Sequence, residues 1–253
     1  MTATSWDFSS FDEVNLKIHE TGEGRPLILL HGLFSNADTN WIKFGHAQLL
    51  ADAGFRVIMP DLRAHGESDA PHDPAAYPHD VLVKDVQALI AHLQLSDFDL
   101  GGFSLGARTT ARLLAQGTRP RKAILAGMGL QGLSGWARRR DFFFEAIDTR
   151  ETARRGDPHW LAIQFMKSQK IDPVAARLLL ATFSDMAPAD VETIETETLV
   201  LCGSEDRDNG SPEELAALLP HGRHVAIPGT HRSSVTKAEM GQEMVRFLGG
   251  QEG

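Results

Sequence analysis

Short apolar runs alternate along this chain with stretches whose apolar residues recur at helical spacing, and no other feature constrains the fold as much. That alternation marks βα units laid on a mostly parallel sheet. Pro26-Leu27-Ile28-Leu29-Leu30 is apolar at every position, as a strand covered on both faces must be. Further strands are expected at residues 55–59, 98–100, 122–126, 198–202 and 224–227, and residues 14–19 alternate as an edge strand does. Helices are expected at 40–53, stopped by Gly54, and at 77–93, 107–115, 212–219 and 235–248.

The alternation breaks between residues 130 and 192, where no strand is convincing and Phe142, Phe143, Phe144, Ile147, Trp160, Ile163, Phe165 and Met166 fall at helical spacing. This segment reads as a helical insertion in one α/β domain formed by residues 1–129 and 193–253. At 253 residues the chain is long enough to bury a large core without a metal or disulfide staple. Cys202 is the only cysteine, so no intrachain disulfide framework exists. It ends an expected strand and reads as a small buried apolar residue. A formal charge of −9 argues against a nucleic-acid partner. The first ten residues have neither the basic nor the apolar region of a secretory signal. No stretch approaches the ~20 apolar residues of a membrane span. A cytoplasmic home is the expectation, in keeping with the lone thiol.

The chemistry concentrates in Gly102-Phe103-Ser104-Leu105-Gly106, which follows an expected strand and opens an expected helix. In that context a serine sits on a sharp, strained turn at the sheet's edge, and flanking glycines let neighbouring chain pass closely. A hydroxyl needs a base before it is a useful nucleophile. Of the 11 histidines, His31 and His231 stand just past strands, and only His231 follows the serine and an acid in chain order. The acid that would fix the histidine's tautomer lies among Glu205, Asp206 and Asp208, with Asp206, three residues past Gly203, the best choice. The histidines and acids show no metal-site spacing.

These pieces, with His31-Gly32-Leu33-Phe34, Asp61-Leu62-Arg63-Ala64-His65-Gly66-Glu67-Ser68 and Gly229-Thr230-His231, occur in one order from about residue 15 to 248. So ordered, the chain resembles the α/β-hydrolase superfamily, in its bacterial esterase, haloperoxidase-like and C–C hydrolase branch with a helical cap. The resemblance implies a mostly parallel central sheet flanked by helices, with residues 130–192 as the cap. It implies Ser104 as nucleophile, Asp206 as orienting acid and His231 as base. The backbone N–H groups of Leu33 and Leu105 would form an oxyanion hole. It makes His31 a support of its own loop and residues 61–68 a structural turn, despite their catalytic look.

Haloalkane dehalogenases and epoxide hydrolases of this fold attack with a carboxylate, whereas position 104 is serine. C–C hydrolases usually place asparagine before the serine, where this chain has Phe103. Hydrolysis of carboxylic esters without cofactor or metal is the resulting expectation, on a small-molecule, ester-like substrate with a small to medium apolar acyl or aryl group, ahead of a highly charged one. The same triad also serves C–C, lactone, thioester and hydroxynitrile chemistry, and some proteins of the fold are ligand receptors. Phe34, Phe103, Trp136, Phe143, Trp160 and Phe165 are expected to line an apolar pocket. Arg138-Arg139-Arg140 and Arg154-Arg155 read as solvated helix faces, with a carboxylate-bearing substrate as the alternative use. The oligomeric state is not legible.

Overall fold

Eight strands form one sheet: β1 (Thr4–Ser9), β2 (Asn15–Thr21), β3 (Arg25–Leu30), β4 (Phe55–Pro60), β5 (Asp99–Phe103), β6 (Lys122–Ala126), β7 (Glu197–Gly203) and β8 (Gly222–Ile227). The computed structural model describes residues 3–250. The strand order is β1-β2-β4-β3-β5-β6-β7-β8, and β2 runs antiparallel to both its neighbours while the pairs from β4 to β8 are parallel. Residues 14–19 are therefore not an edge: β2 lies inside the sheet, and the edge is β1. That strand has one buried side chain, Phe8, so its sequence carries almost no apolar signal.

The helices are α1 (His46–Asp52), α2 (Val81–His92), α3 (Leu105–Ala115), α4 (Leu130–Ser134), α5 (Trp136–Asp148), α6 (Trp160–Ser168), α7 (Pro173–Ala181), α8 (Pro188–Val191), α9 (Pro212–Leu218), α10 (His231–Ser234) and α11 (Ala238–Gly249). One of the expected helices is split and another starts late. The stretch 40–53 holds a π-helical turn at Asp38–Ile42 and then α1, separated by Gly45 at φ 80°. The stretch 235–248 begins only at Ala238, after the short α10 and an extended Lys237 at ψ 137°.

Alternate residues of the central strands face opposite layers, which is why β3 is apolar throughout. Leu27 and Leu29 pack with Trp41, Leu50 of α1 and Met240 and Met244 of α11. Ile28 and Leu30 pack on the other side with Leu82, Val86 and Leu89 of α2. Further along that side, Ala107 and Ala111 of α3 and Leu215 of α9 cover β6 and β7. Residues 130–192 lie between β6 and β7 in sequence and hold five helices, α4 to α8. Helices α5, α6 and α7 share a cluster of their own, Trp136, Ile147, Met166, Ala176 and Leu180, which includes Phe34 of the sheet's upper edge.

The parallel part of the sheet begins at β3, steps to β4 on one side, then crosses to β5 on the other. The carboxyl ends of β3 and β5 thus open side by side, with Leu30 opposite Gly102. In an open α/β sheet such a reversal is where the loops splay apart and a ligand crevice forms.

Candidate active site

Ser104 occupies the reversal. It has φ 53° and ψ −106°, an angle pair costing about 1–3 kcal/mol that persists only where its surroundings hold it. Its N–H donates to the Ala126 carbonyl at 2.8 Å, anchoring the turn to β6. The two glycines of the motif are required by contact. A Cβ on Gly102 would stand 2.3 Å from the Gly106 carbonyl carbon, and one on Gly106 would stand 2.1 Å from the Leu30 carbonyl oxygen. Backbone meets backbone there, so nothing can yield.

His231 opens α10 just past β8, and its Nε2 lies 3.0 Å from Ser104 Oγ. Its Nδ1 lies 2.8 Å from Asp206 Oδ2. A carboxylate can only accept, so Nδ1 carries the proton and Nε2 presents a lone pair to the serine hydroxyl. Asp206 is buried, and its Oδ1 accepts the Asp208 N–H at 3.0 Å, which fixes the carboxylate's rotation. Of the three acids competing for this place, Glu205 is exposed and Asp208 faces a cleft instead. Phe103 stacks on the His231 ring at 4.9 Å, limiting the ring's freedom.

Leu33 and Leu105 both line the same cleft. Among the described residues their backbone N–H groups donate to nothing; Leu105 begins α3, where N–H groups have no helical partner. The loop bearing Leu33 is held from beneath. Asn40 Oδ1 accepts the Gly32 N–H at 2.9 Å, and His65 Nε2 accepts the Phe34 N–H at 3.0 Å. His31 donates from Nδ1 to the Gly32 carbonyl at 2.8 Å and accepts the Leu62 N–H at Nε2 at 2.9 Å. Burial depresses the pKa of both imidazoles, that of His65 to about 3, so each holds its loop as a neutral ring. Asp61 accepts the Ala37 N–H at 2.8 Å and the Glu67 N–H at 2.9 Å, and Ser68 donates to the Asp61 carbonyl at 2.6 Å. Residues 61–68 therefore brace the loops and do not enter the cleft.

The cleft encloses about 710 Å³ above Ser104 and His231. Phe34, Phe103, Trp136, Phe143 and Phe165 line it; Trp160 does not. At about 100° per residue, Ala162 and Phe165 of α6 lie about 200° and 140° around from Trp160, so the tryptophan is on the helix's far side. Helical spacing identifies a stripe but not which way it turns. Four arginines also line the cleft: Arg108, Arg138, Arg139 and Arg232. Arg139 is thus not on a solvated face. With Trp136 and Phe143 it forms an i, i+3, i+7 stripe, the signal that places it inward. Arg108 follows Ser104 by one helical turn, a spacing that points to it once the serine is chosen. Cys202 is buried, and burial pushes its thiol up to about 12, far from a reactive thiolate. Among the described residues no group of three or more His, Cys, Asp or Glu converges to hold a metal, and no helix is long and apolar enough to cross a membrane.

Residues 25–165 match the family model for the alpha/beta hydrolase fold. The chain belongs to the α/β-hydrolase family. An AB hydrolase superfamily protein of Bacillus subtilis is 37% identical over 105 residues, 42% of this hydrolase-fold chain and 37% of that protein. Non-heme chloroperoxidase CPO-A1 of Kitasatospora aureofaciens is 34% identical over 116 residues, 45% of this chain and 40% of its own. The matches therefore span well under half the length of these relatives. An esterase structure from Exiguobacterium antarcticum superposes with a TM-score of 0.77 at 18% identity, covering 97% of this chain and 98% of that one. At that identity the likeness shows the α/β-hydrolase fold alone.

Proposed function

We propose that this α/β-hydrolase family member is a serine hydrolase that cleaves carboxylic esters of small to medium acyl or aryl substrates. The observation that carries the reading is the continuous line from Asp206 Oδ2 through His231 to Ser104 Oγ, with steps of 2.8 and 3.0 Å, opening into a largely apolar cleft. Ser104 Oγ attacks the ester carbonyl carbon as its proton passes to His231 Nε2, and Asp206 stabilises the imidazolium. The Leu33 and Leu105 N–H groups receive the oxyanion; each such donor is worth about 10²–10³ in rate. Collapse of the tetrahedral species breaks the C–O bond, and His231 returns its proton to the departing alcohol. Water then surrenders a proton to the same Nε2, attacks the acyl-enzyme and releases the acid and the free serine. Residues 130–192 act as a cap whose α5 and α6 wall the cleft and separate it from bulk water.

Relatives named epoxide hydrolase also match the chain, one from Siraitia grosvenorii at 32% identity over 99 residues. Carboxylate attack is the chemistry expected of epoxide hydrolases of this fold, and the residue on the strained turn here is a serine. A 4-nitrophenyl ester series of increasing acyl length tests the proposal. Turnover that disappears in a folded Ser104→Ala variant is expected, and a variant that retains the wild-type rate overturns the reading.

A further inference from the structure

A charge removed from water normally brings a counter-charge with it, because leaving it unmatched costs several kcal/mol. Most arginines that this chain folds inward obey the rule. Arg63 is gripped by Asp12 and Asp85, Arg112 by Asp80 and Arg121 by Asp99. The cleft is the exception. Arg108 is buried and donates to the carbonyls of Gly132, Leu133 and Ser184. Half-buried Arg139 donates to the neutral Asn209 side chain, with its guanidinium 5.8 Å over the Phe143 ring. Exposed Arg138 and Arg232 reach the cleft mouth. Among the described residues no carboxylate lies within 4.0 Å of any of the four, and only one acid, Asp208, shares the lining. This happens in a chain whose formal charge is −9, so the positive lining runs against the overall composition.

We infer that the ester taken by this cleft carries a carboxylate as a second functional group, with Arg139 as the specificity-determining residue and Arg138 and Arg232 drawing the anion in from the mouth. The inference rests on the ester-cleaving reading and names its substrate class. Arg108 has both terminal nitrogens on carbonyls, three of its five N–H bonds, so it contributes field more than a fork. Arg139 uses one contact on Asn209 and has five donors, leaving a planar edge for a carboxylate. Burial lowers the Arg139 pKa from the usual arginine value, against the attraction of Asp208 and Asp206. An arriving anion relieves that cost. The aromatic walls then hold the hydrocarbon between the anion and the scissile carbonyl, as expected of a monoanion on an apolar body.

Binding can be read without turnover in Ser104→Ala protein, by tryptophan fluorescence from Trp136 in the cleft wall. The probes are monomethyl glutarate and its neutral counterpart dimethyl glutarate. The monoanion is expected to bind about tenfold or more tightly. The ratio should shrink as salt is raised and fall close to one when Arg139→Gln is added. Arg138→Gln with Arg232→Gln, both at exposed positions, should lower it by a smaller factor and serves if Arg139→Gln does not fold. Equal binding of the two probes overturns the inference, and so does a ratio that no arginine replacement changes. The catalytic reading fails separately. Wild-type protein that prefers the monoanion but hydrolyses neither the neutral 4-nitrophenyl esters nor mono-4-nitrophenyl glutarate refutes ester cleavage and not anion recognition.

Discussion

Asp206 and Ser104 never touch, yet the tautomer of the ring between them depends on the acid's chemistry. An aspartate can only accept from Nδ1, whereas an amide in its place can donate and turn the Nε2 lone pair away from the serine. Asp206→Asn is expected to lower kcat on a 4-nitrophenyl ester by about 10⁴, while the melting temperature stays within a few degrees. Glu205→Gln, exposed beside it, should stay within a few-fold of wild type. Rate assays with a thermal melt on each variant check the pair. Two opposed effects meet at Gly106. Alanine improves helix propensity by about 1 kcal/mol, but its Cβ would stand 2.1 Å from the Leu30 carbonyl oxygen. Contact against rigid backbone outweighs propensity, so Gly106→Ala should lose about 3 kcal/mol in urea unfolding.

Elements differ in how much of their geometry the sequence carries. Residues 27–30 are legible because burial on both faces leaves no polar position to confuse the period. Strand β1 is illegible for the opposite reason, since an edge strand with only Phe8 buried looks like a loop. The serine motif, the histidine and the acid were readable because chemistry fixes their residue types and topology fixes their order. The cleft lining was readable as apolar but not as cationic. Three consecutive arginines on α5 look like a wet face, and only the rotation of that helix turns Arg139 over the Phe143 ring and into the cleft lining. Rotation likewise separates Phe143 from Trp160, which helical spacing treats alike. Phe143→Ala should raise KM for a 4-nitrophenyl ester about three- to tenfold by removing part of the wall, on the order of 1 kcal/mol. Trp160→Ala, outside the cleft, should leave KM within twofold. Steady-state kinetics on the two variants separate the faces.

Across the whole molecule, function is carried on a frame of neutral buried histidines, and that ties stability to pH. Burial depresses the pKa of His65 to about 3, and it also depresses His31 and His46, where His46 Nε2 meets the Val235 carbonyl at 2.7 Å. Unfolded, each ring returns to an ordinary value of 6.5. Between that value and the folded one the unfolded chain binds more protons, so stability is full above about pH 6.5 and is lost as the pH falls. His65 alone should cost about 2 kcal/mol by pH 5, at about 1.4 kcal/mol per pH unit. His19 runs the other way, its pKa raised by the hydrogen bond to Asp61, and so do Asp85 and Asp99, raised by burial. Replacing His65 isolates its share. His65→Leu should be less stable than wild type at pH 7, because the Phe34 N–H loses its acceptor, and should lose less on acidification. Urea unfolding at pH 7, 6 and 5 measures both curves. Parallel slopes would mean that His65 is not the neutral strut beneath the Leu33 loop.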